Sequence, residues 1–205
     1  MTPSIGRLGI LFVLSAPSGG GKTTLREGLQ RHQDFAYSIS CTTRQPRQGE
    51  VHGRDYFFLT HSEFEQKIAA GEFLEHAQVH GNYYGTLKSI VIESLRAGTD
   101  LLIDIDVQGA AIIRADEHPV IRDALVDVFL MPPSMEVLRK RLSGRGTETP
   151  EQLAVRLQNA GAEMQNWPLY RYTLISGLPE EDLAGFRAIM QAERSASKRL
   201  RLAIS

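Results

Sequence analysis

The sequence predicts an α/β fold: a mostly parallel sheet flanked by helices, with a small mixed-β insert and a lid. Three observations carry this reading. Apolar, strand-like runs alternate with helix-period runs along most of the chain. One stretch, 35–87, breaks that rhythm with short β-type runs around a single helix. A polar, glycine-bearing stretch, SGRGTETPE at 143–151, has the composition of a mobile lid. With 205 residues the chain is one domain of ordinary size, 1–205. Its core comprises 8–34, 88–140 and 166–205, its insert 35–87 and its lid 141–165.

Taken in order, 9–14 is apolar throughout and reads as a buried parallel strand. A helix over 22–32 follows it. In the insert, 56–59 and 73–79 are short β-type runs. The helix between them opens on a capping box, Thr60 with Glu63, and ends at Gly71. A Gly81-Asn82 turn completes what reads as a mostly antiparallel unit. A second helix, 88–97, stops at Gly98, and 101–105 and 125–130 are further buried strands. After the turn Pro132-Pro133-Ser134 come two helices. Met135, Leu138 and Leu142 share one face of the first, and Leu153, Leu157, Ala160 and Met164 one face of the second. Residues 172–175 form the last core strand. The final helix is expected from about 181 into the basic tail KRLRLAIS, whose cations suit a helix C-terminus.

Composition narrows the function. A hydrophobic share of 42% with 23% charged residues is that of a soluble globular protein. No apolar run is long enough for a membrane span, and 1–7 lacks the basic start and apolar core of a signal peptide. The lone Cys41 excludes an internal disulfide and fits a reducing cytoplasm. A net charge of −1 leaves no electrostatic footprint for nucleic acid. Neither nucleic acid nor a membrane is an expected partner.

The stretch LSAPSGGGKTTL, 14–25, carries the first chemistry. It lies between a strand and a helix, the context a phosphate-binding loop requires, and makes the sheet one of P-loop NTPase type. Gly19, Gly20 and Gly21 allow backbone N–H groups to approach anionic oxygens. The helix N-terminus adds partial positive charge. Lys22 reaches the β- and γ-phosphates, and the Thr23 hydroxyl suits Mg²⁺; Ser18 and Thr24 complete the candidate cradle. Ala16 replaces the usual first glycine, which asks only for a backbone angle that alanine can adopt. Such loops serve hydrolases, motors, switches and kinases alike, so the acceptor must be read elsewhere.

In SISCTTRQPRQGE, Arg44 and Arg47 flank a proline, with Tyr56 downstream in GRDYFF. EFLEHAQVHGNYYGT adds Glu75, Tyr84 and Thr86. Two guanidinium forks and two phenols suit a dianionic phosphate. Taken singly, each arginine is equally a solvated surface charge, and Tyr83 or Tyr84 an ordinary core aromatic; the combination carries the weight. Asp104 and Asp106 sit at the end of LLIDID, where open α/β sheets place ligands, and their spacing puts them on one face of that strand. Two acids beside an apolar run favour function over packing. The six histidines, His76 and His80 among them, earn no catalytic role.

These motifs, with LLIDIDVQGA, PPS and RLSGRGTETPE, resemble the guanylate kinase family from about residue 8 to 175. That family consists of nucleoside-monophosphate kinases that convert GMP and ATP to GDP and ADP. The resemblance implies a GMP phosphate on Arg44, Arg47, Tyr56 and Tyr84, and guanine against Ser40, Glu75, Thr86 and Asp106. It places Asp104 near the phosphates and the magnesium shell, and makes 35–87 the GMP-binding region. Lys22, Arg44, Arg141, Arg145 and Arg156 become the catalytic cations, the last three closing over the transferred group. ATP with Mg²⁺ is the implied cofactor, and GMP with dGMP the implied acceptors in purine metabolism in the cytoplasm; homo-oligomerisation stays open. Guanine chemistry agrees independently: its N1–H and N2–H₂ are adjacent donors that an ionised Glu75 can accept together, whereas adenine leaves the carboxylate partly unpaired.

One segment departs from the family. Where guanylate kinases commonly carry Asn-Asp-Asp after the last strand, this chain reads ISGLPEEDL, with Ser176 and Gly177. The rival readings are a non-catalytic guanylate-kinase-like interaction module, a P-loop kinase for another phosphorylated acceptor, and a P-loop switch. The retained Lys22 and Thr23 argue against the first, and the full acceptor site argues against the other two.

Overall fold

The computed structural model describes residues 4–31, 35–79, 81–144 and 149–203. Its frame is a five-stranded, all-parallel sheet. The strands are β2 (Leu11–Ser15), β3 (Ala36–Tyr37), β8 (Leu101–Asp104), β9 (Leu125–Met131) and β10 (Tyr172–Ile175), in the order β10-β9-β2-β8-β3. β2, fully buried, sits at the centre, and its residues alternate between two cores as the pleat demands. Leu11 and Val13 face one cluster, to which α3 (Lys88–Arg96), α4 (Val107–Arg114) and α5 (Pro119–Ala124) contribute Val91, Leu95, Ile113 and Ile121. Phe12 and Leu14 face the other, filled by Leu25 and Leu29 of α1 (Lys22–Arg31) and by Phe186 and Met190 of α8 (Pro179–Arg194). The predicted parallel sheet flanked by helices is thus observed.

The insert forms a separate four-stranded sheet, β5-β4-β7-β6, from β4 (Cys41–Thr42), β5 (Phe57–Phe58), β6 (Phe73–Val79) and β7 (Asn82–Leu87). Pairs β4/β7 and β6/β7 are antiparallel and β4/β5 is parallel. Helix α2 (His61–Ala69) covers this sheet, and its buried Phe64 stacks on Phe73 and Tyr83. Its capping box is formed as expected, with Thr60 and Glu63 exchanging both hydrogen bonds, and Gly71 follows at φ 66°. Of the two tyrosines left open by sequence, Tyr83 is the core aromatic.

Two expectations are corrected. Met135 is 42% exposed, and α6 (Met135–Ser143) packs through the buried Leu138 and Leu142 against Leu157 and Ala160 of α7 (Pro150–Met164). The basic tail does not prolong the last helix either. α8 ends at Arg194, a 3-10 turn spans Ser197–Arg199, and β11 (Leu200–Ala203) pairs antiparallel with β1 (Ser4–Arg7), Ser4 opposite Ala203. Arg199 is buried and spends its guanidinium on the Glu193 carboxylate at 2.8–2.9 Å and on the Asp123 carbonyl at 2.9 Å. Neutralising a buried carboxylate, rather than ending a helix, is what this cation does.

Candidate active site

The loop after β2 and the loop after β8 are neighbours because their strands are paired, so the sheet presents both at one edge. In the first, Gly19 and Gly21 have φ of 81° and 101°, which favour glycine. The crowding is equally specific. A Cβ on Gly19 would stand 2.8 Å from Leu142 of α6, and one on Gly20 2.9 Å from the Pro17 carbonyl. Ala16 sits beneath the loop in the apolar core, so its methyl costs the turn nothing. A cavity of about 310 Å³ is lined by Ser18, Gly19, Gly20, Gly21, Lys22, Thr23 and Thr24 with Asp106 and Glu163. All seven predicted cradle residues therefore converge.

Lys22 joins this cavity to a larger cleft of about 380 Å³, within the range of small-molecule sites. Its Nζ donates to the Ile105 carbonyl at 2.9 Å. Burial pushes the ammonium below the usual lysine range, partly opposed by the charges of Asp104 and Asp106. The cleft is also lined by Ser40, Glu75, Tyr84, Thr86, Asp104 and Asp106, six of the predicted acceptor residues.

Glu75 owes its place to a register shift. β6 and β7 pair Phe73 with Leu87 but Glu75 with Thr86, so the ladder is irregular at Leu74. Phe73 and Leu74 are consequently both buried, and Glu75 is aimed across at Thr86. The buried Thr86 hydroxyl donates to Glu75 Oε1 at 2.8 Å, leaving Oε2 to the cleft. Burial, with a smaller push from the Asp106 charge, raises the Glu75 carboxyl above the usual range; the Thr86 bond opposes this.

The shared strand face predicted for Asp104 and Asp106 is corrected. β8 stops at Asp104, and Asp106 is the N-cap of α4, its Oδ1 accepting from Gly109 N at 2.8 Å. The two acids reach one cleft through a strand-to-helix turn. Asp104 is half-buried, 3.6 Å from the Arg26 guanidinium.

Arg44 stands beside the cleft. Glu50 accepts from its Nη2 at 2.9 and 3.0 Å, and the guanidinium lies 5.5 Å from the Tyr56 ring centroid. Tyr56 in turn meets Tyr84 edge-on at 6.2 Å, linking the arginine to the cleft wall. Arg47 is exposed, and its backbone N–H donates to the same Glu50 at 2.7 Å. Arg141 lies on the phosphate loop, its Nη1 donating to the Gly20 carbonyl at 3.3 Å. Arg156 is placed differently: it lines a face of α7 with Glu151, Gln152 and Val155 and is not in the lining of the loop cavity. Arg145 lies outside the described residues.

Two participants escaped sequence reasoning. Glu163 of α7 accepts from Ser18 N at 3.1 Å and so reaches the loop from a distant helix; a lone helical glutamate carries no signal of this. The Ser38 hydroxyl is buried on the cleft lining with no hydrogen-bond partner among the described residues. Its spacing of two from Ser40 was the available clue.

The model of the family described as guanylate kinase matches residues 9–193. The chain belongs to the guanylate kinase family. A guanylate kinase of Paramagnetospirillum magneticum is 43% identical over 198 residues, 96% of this chain and 91% of its own. One from Idiomarina loihiensis is 45% identical over 190 residues, covering 91% of this chain and 88% of its own. The crystal structure of guanylate kinase from Anaplasma phagocytophilum matches with a TM-score of 0.68 at 32% identity, over 96% of this chain and 92% of that one. Among the described residues of this guanylate kinase family member, no helix is long and apolar enough to cross a membrane.

Proposed function

We propose that this chain transfers the γ-phosphoryl group of ATP to GMP, and to dGMP, giving the diphosphate and ADP. One observation carries the reading: a half-buried carboxylate, Glu75, shares a cleft with the lysine of a formed phosphate loop. Guanine docks its N1–H and N2–H₂ on Glu75, with Ser40, Thr86 and Asp106 around the base. Arg44, Arg47, Tyr56 and Tyr84 hold the GMP phosphate. Glu50 on Nη2 and the Gln45 carbonyl on Nη1 hold the Arg44 guanidinium in place, so less ordering remains for the moment of binding.

The attacking atom is an oxygen of the GMP phosphate, already anionic near neutral pH, so no general base is required. Catalysis is then positioning and charge neutralisation around a loose, in-line transition state. Lys22 leaves the Ile105 carbonyl for the phosphates, and Arg141 meets the transferred group from the other side of the loop. Residues 141–165 act as the lid that excludes water.

Magnesium suits the donors present. The Thr23 hydroxyl is exposed on the first turn of α1, and Asp104 offers a carboxylate in the adjoining cleft that Lys22 also lines; both are hard oxygen donors. An ion there would take most of its remaining ligands from phosphates and water. When bound it supplies neutralising charge to the phosphates. The lone cysteine supports a cytoplasmic setting.

A coupled assay of ADP formation with Mg-ATP and GMP, AMP, CMP or UMP tests the reading. Turnover confined to GMP is expected. Binding of GMP without turnover would favour a non-catalytic interaction module instead, although the intact Lys22, Thr23 and Arg141 already count against one.

A further inference from the structure

The segment that departs from the family pattern, 176–182, is built around a buried carboxylate. Asp182 is 6% exposed and stands in the first turn of α8, where the helix dipole favours an anion. Its Oδ1 accepts from Gly177 N at 2.7 Å and its Oδ2 from the Ser176 hydroxyl at 3.0 Å. Ser176 is 2% exposed, and its Oγ in turn accepts from Arg141 Nη1 at 3.0 Å. These bonds fix the order of donors. A carboxylate can only accept, so the single hydroxyl proton must point to Asp182, and the hydroxyl lone pairs must face Arg141. Negative charge is thereby relayed to the guanidinium through one oxygen, without a direct ion pair consuming the fork.

The surroundings hold the same geometry. Arg141 Nη1 also reaches the Gly20 carbonyl, while among the described residues Nη2 meets the Gly177 carbonyl alone, at 3.5 Å. Helix α6, which carries Arg141, is seated on Gly19 through Leu138 and Leu142. A Cβ on Gly21 would stand 3.4 Å from Ser176 Oγ and 3.7 Å from Arg141 Nη1, so the Ser176–Arg141 end of the relay abuts the phosphate loop.

We propose that Asp182, acting through Ser176, is a positioning residue that holds Arg141 docked on the phosphate loop with one edge of its fork directed to the transferred group. The proposal rests on Arg141 acting at that group, as the proposed function has it. It is tested by a double-mutant cycle on kcat and on KM for ATP and GMP, using Ser176→Ala, Asp182→Asn, Arg141→Ala and the two doubles with Arg141→Ala. Each of the first two variants is expected to lower kcat about tenfold with KM for GMP unchanged. In the Arg141→Ala background each should alter kcat by less than about twofold, because the group being positioned is gone. Losses that multiply in the doubles, or single variants with normal kcat, would overturn the relay while leaving the kinase reading intact. Normal kcat in Arg141→Ala itself would remove Arg141 from the reacting group and the relay with it. If Asp182→Asn fails to fold, Ser176→Ala, which deletes one hydroxyl, completes the cycle alone.

Discussion

Glu75 and Lys22 show what burial does to a charged side chain at the cleft. Both are charged groups forced into a cleft, and each is displaced from its ordinary pKa mainly by burial. A carboxyl whose folded pKa lies above its unfolded one stabilises the fold when protonated, and that contribution is lost as pH rises through the folded value. At neutral pH the ionised Glu75 therefore costs stability. Glu75→Gln is expected to raise Tm in thermal melts at neutral pH while collapsing the preference for GMP over AMP in the coupled assay. An unchanged preference would refute the account of base recognition. The same displacement gives KM for GMP a pH dependence: it should climb as pH falls, beginning above the usual glutamate range, and this limb should vanish in Glu75→Gln. Lys22→Ala should lower kcat by orders of magnitude with GMP binding largely kept, as separate turnover and binding titrations would reveal. At this scale the sequence disclosed residue types whose chemistry is specific, such as Glu75 beside two apolar neighbours. It concealed Glu163, which a distant helix brings to Ser18, and offered for Ser38 no more than its spacing of two from Ser40.

Elements were legible in proportion to how locally they are determined. The capping box of α2 lies within four residues and forms as read; Thr60→Ala should cost about 1 kcal/mol in denaturant unfolding. The tail is the opposite case. Its basic residues look like the end of a helix, yet β11 exists because β1, nearly the whole chain away, supplies its partner. Its anchor is Glu193, which takes Arg199, Arg171 at 2.8 Å and the Tyr172 hydroxyl at 2.7 Å. Burial alone would raise the Glu193 carboxyl, but these donors outweigh it and hold it below the usual range. Its contribution is therefore present at neutral pH and fades as pH falls through the folded value. Arg199→Ala strands this buried carboxylate and should cost about 3–5 kcal/mol, measured by denaturant unfolding at neutral pH. A loss below about 1 kcal/mol would show that Arg171 and Tyr172 suffice.

On the scale of the whole molecule, two sheets meet at a cleft whose walls come from both: Glu75, Tyr84 and Thr86 from the insert, Asp104 and Ile105 from the frame. Any ligand spanning that cleft stabilises the folded chain by mass action. GMP at 100 times its Kd should add about 2.7 kcal/mol, seen as a rise in Tm that Glu75→Gln largely abolishes at the same concentration. The frame was legible because parallel strands buried on both faces are continuously apolar. Ala36–Tyr37 was not, since two residues carry no period and their state is imposed by β8. The β1/β11 ribbon has a consequence for how the molecule bears load. Its register sets Ser4 against Ala203 and Arg7 against Leu200, so tension applied between Ser4 and Ala203 pulls across the pairing rather than along it. The ribbon should then peel one pair at a time, at low force, before load reaches Arg199 and the central sheet. In an optical-tweezers trace this would be a small early extension that leaves nucleotide binding intact, with a single larger rupture after it.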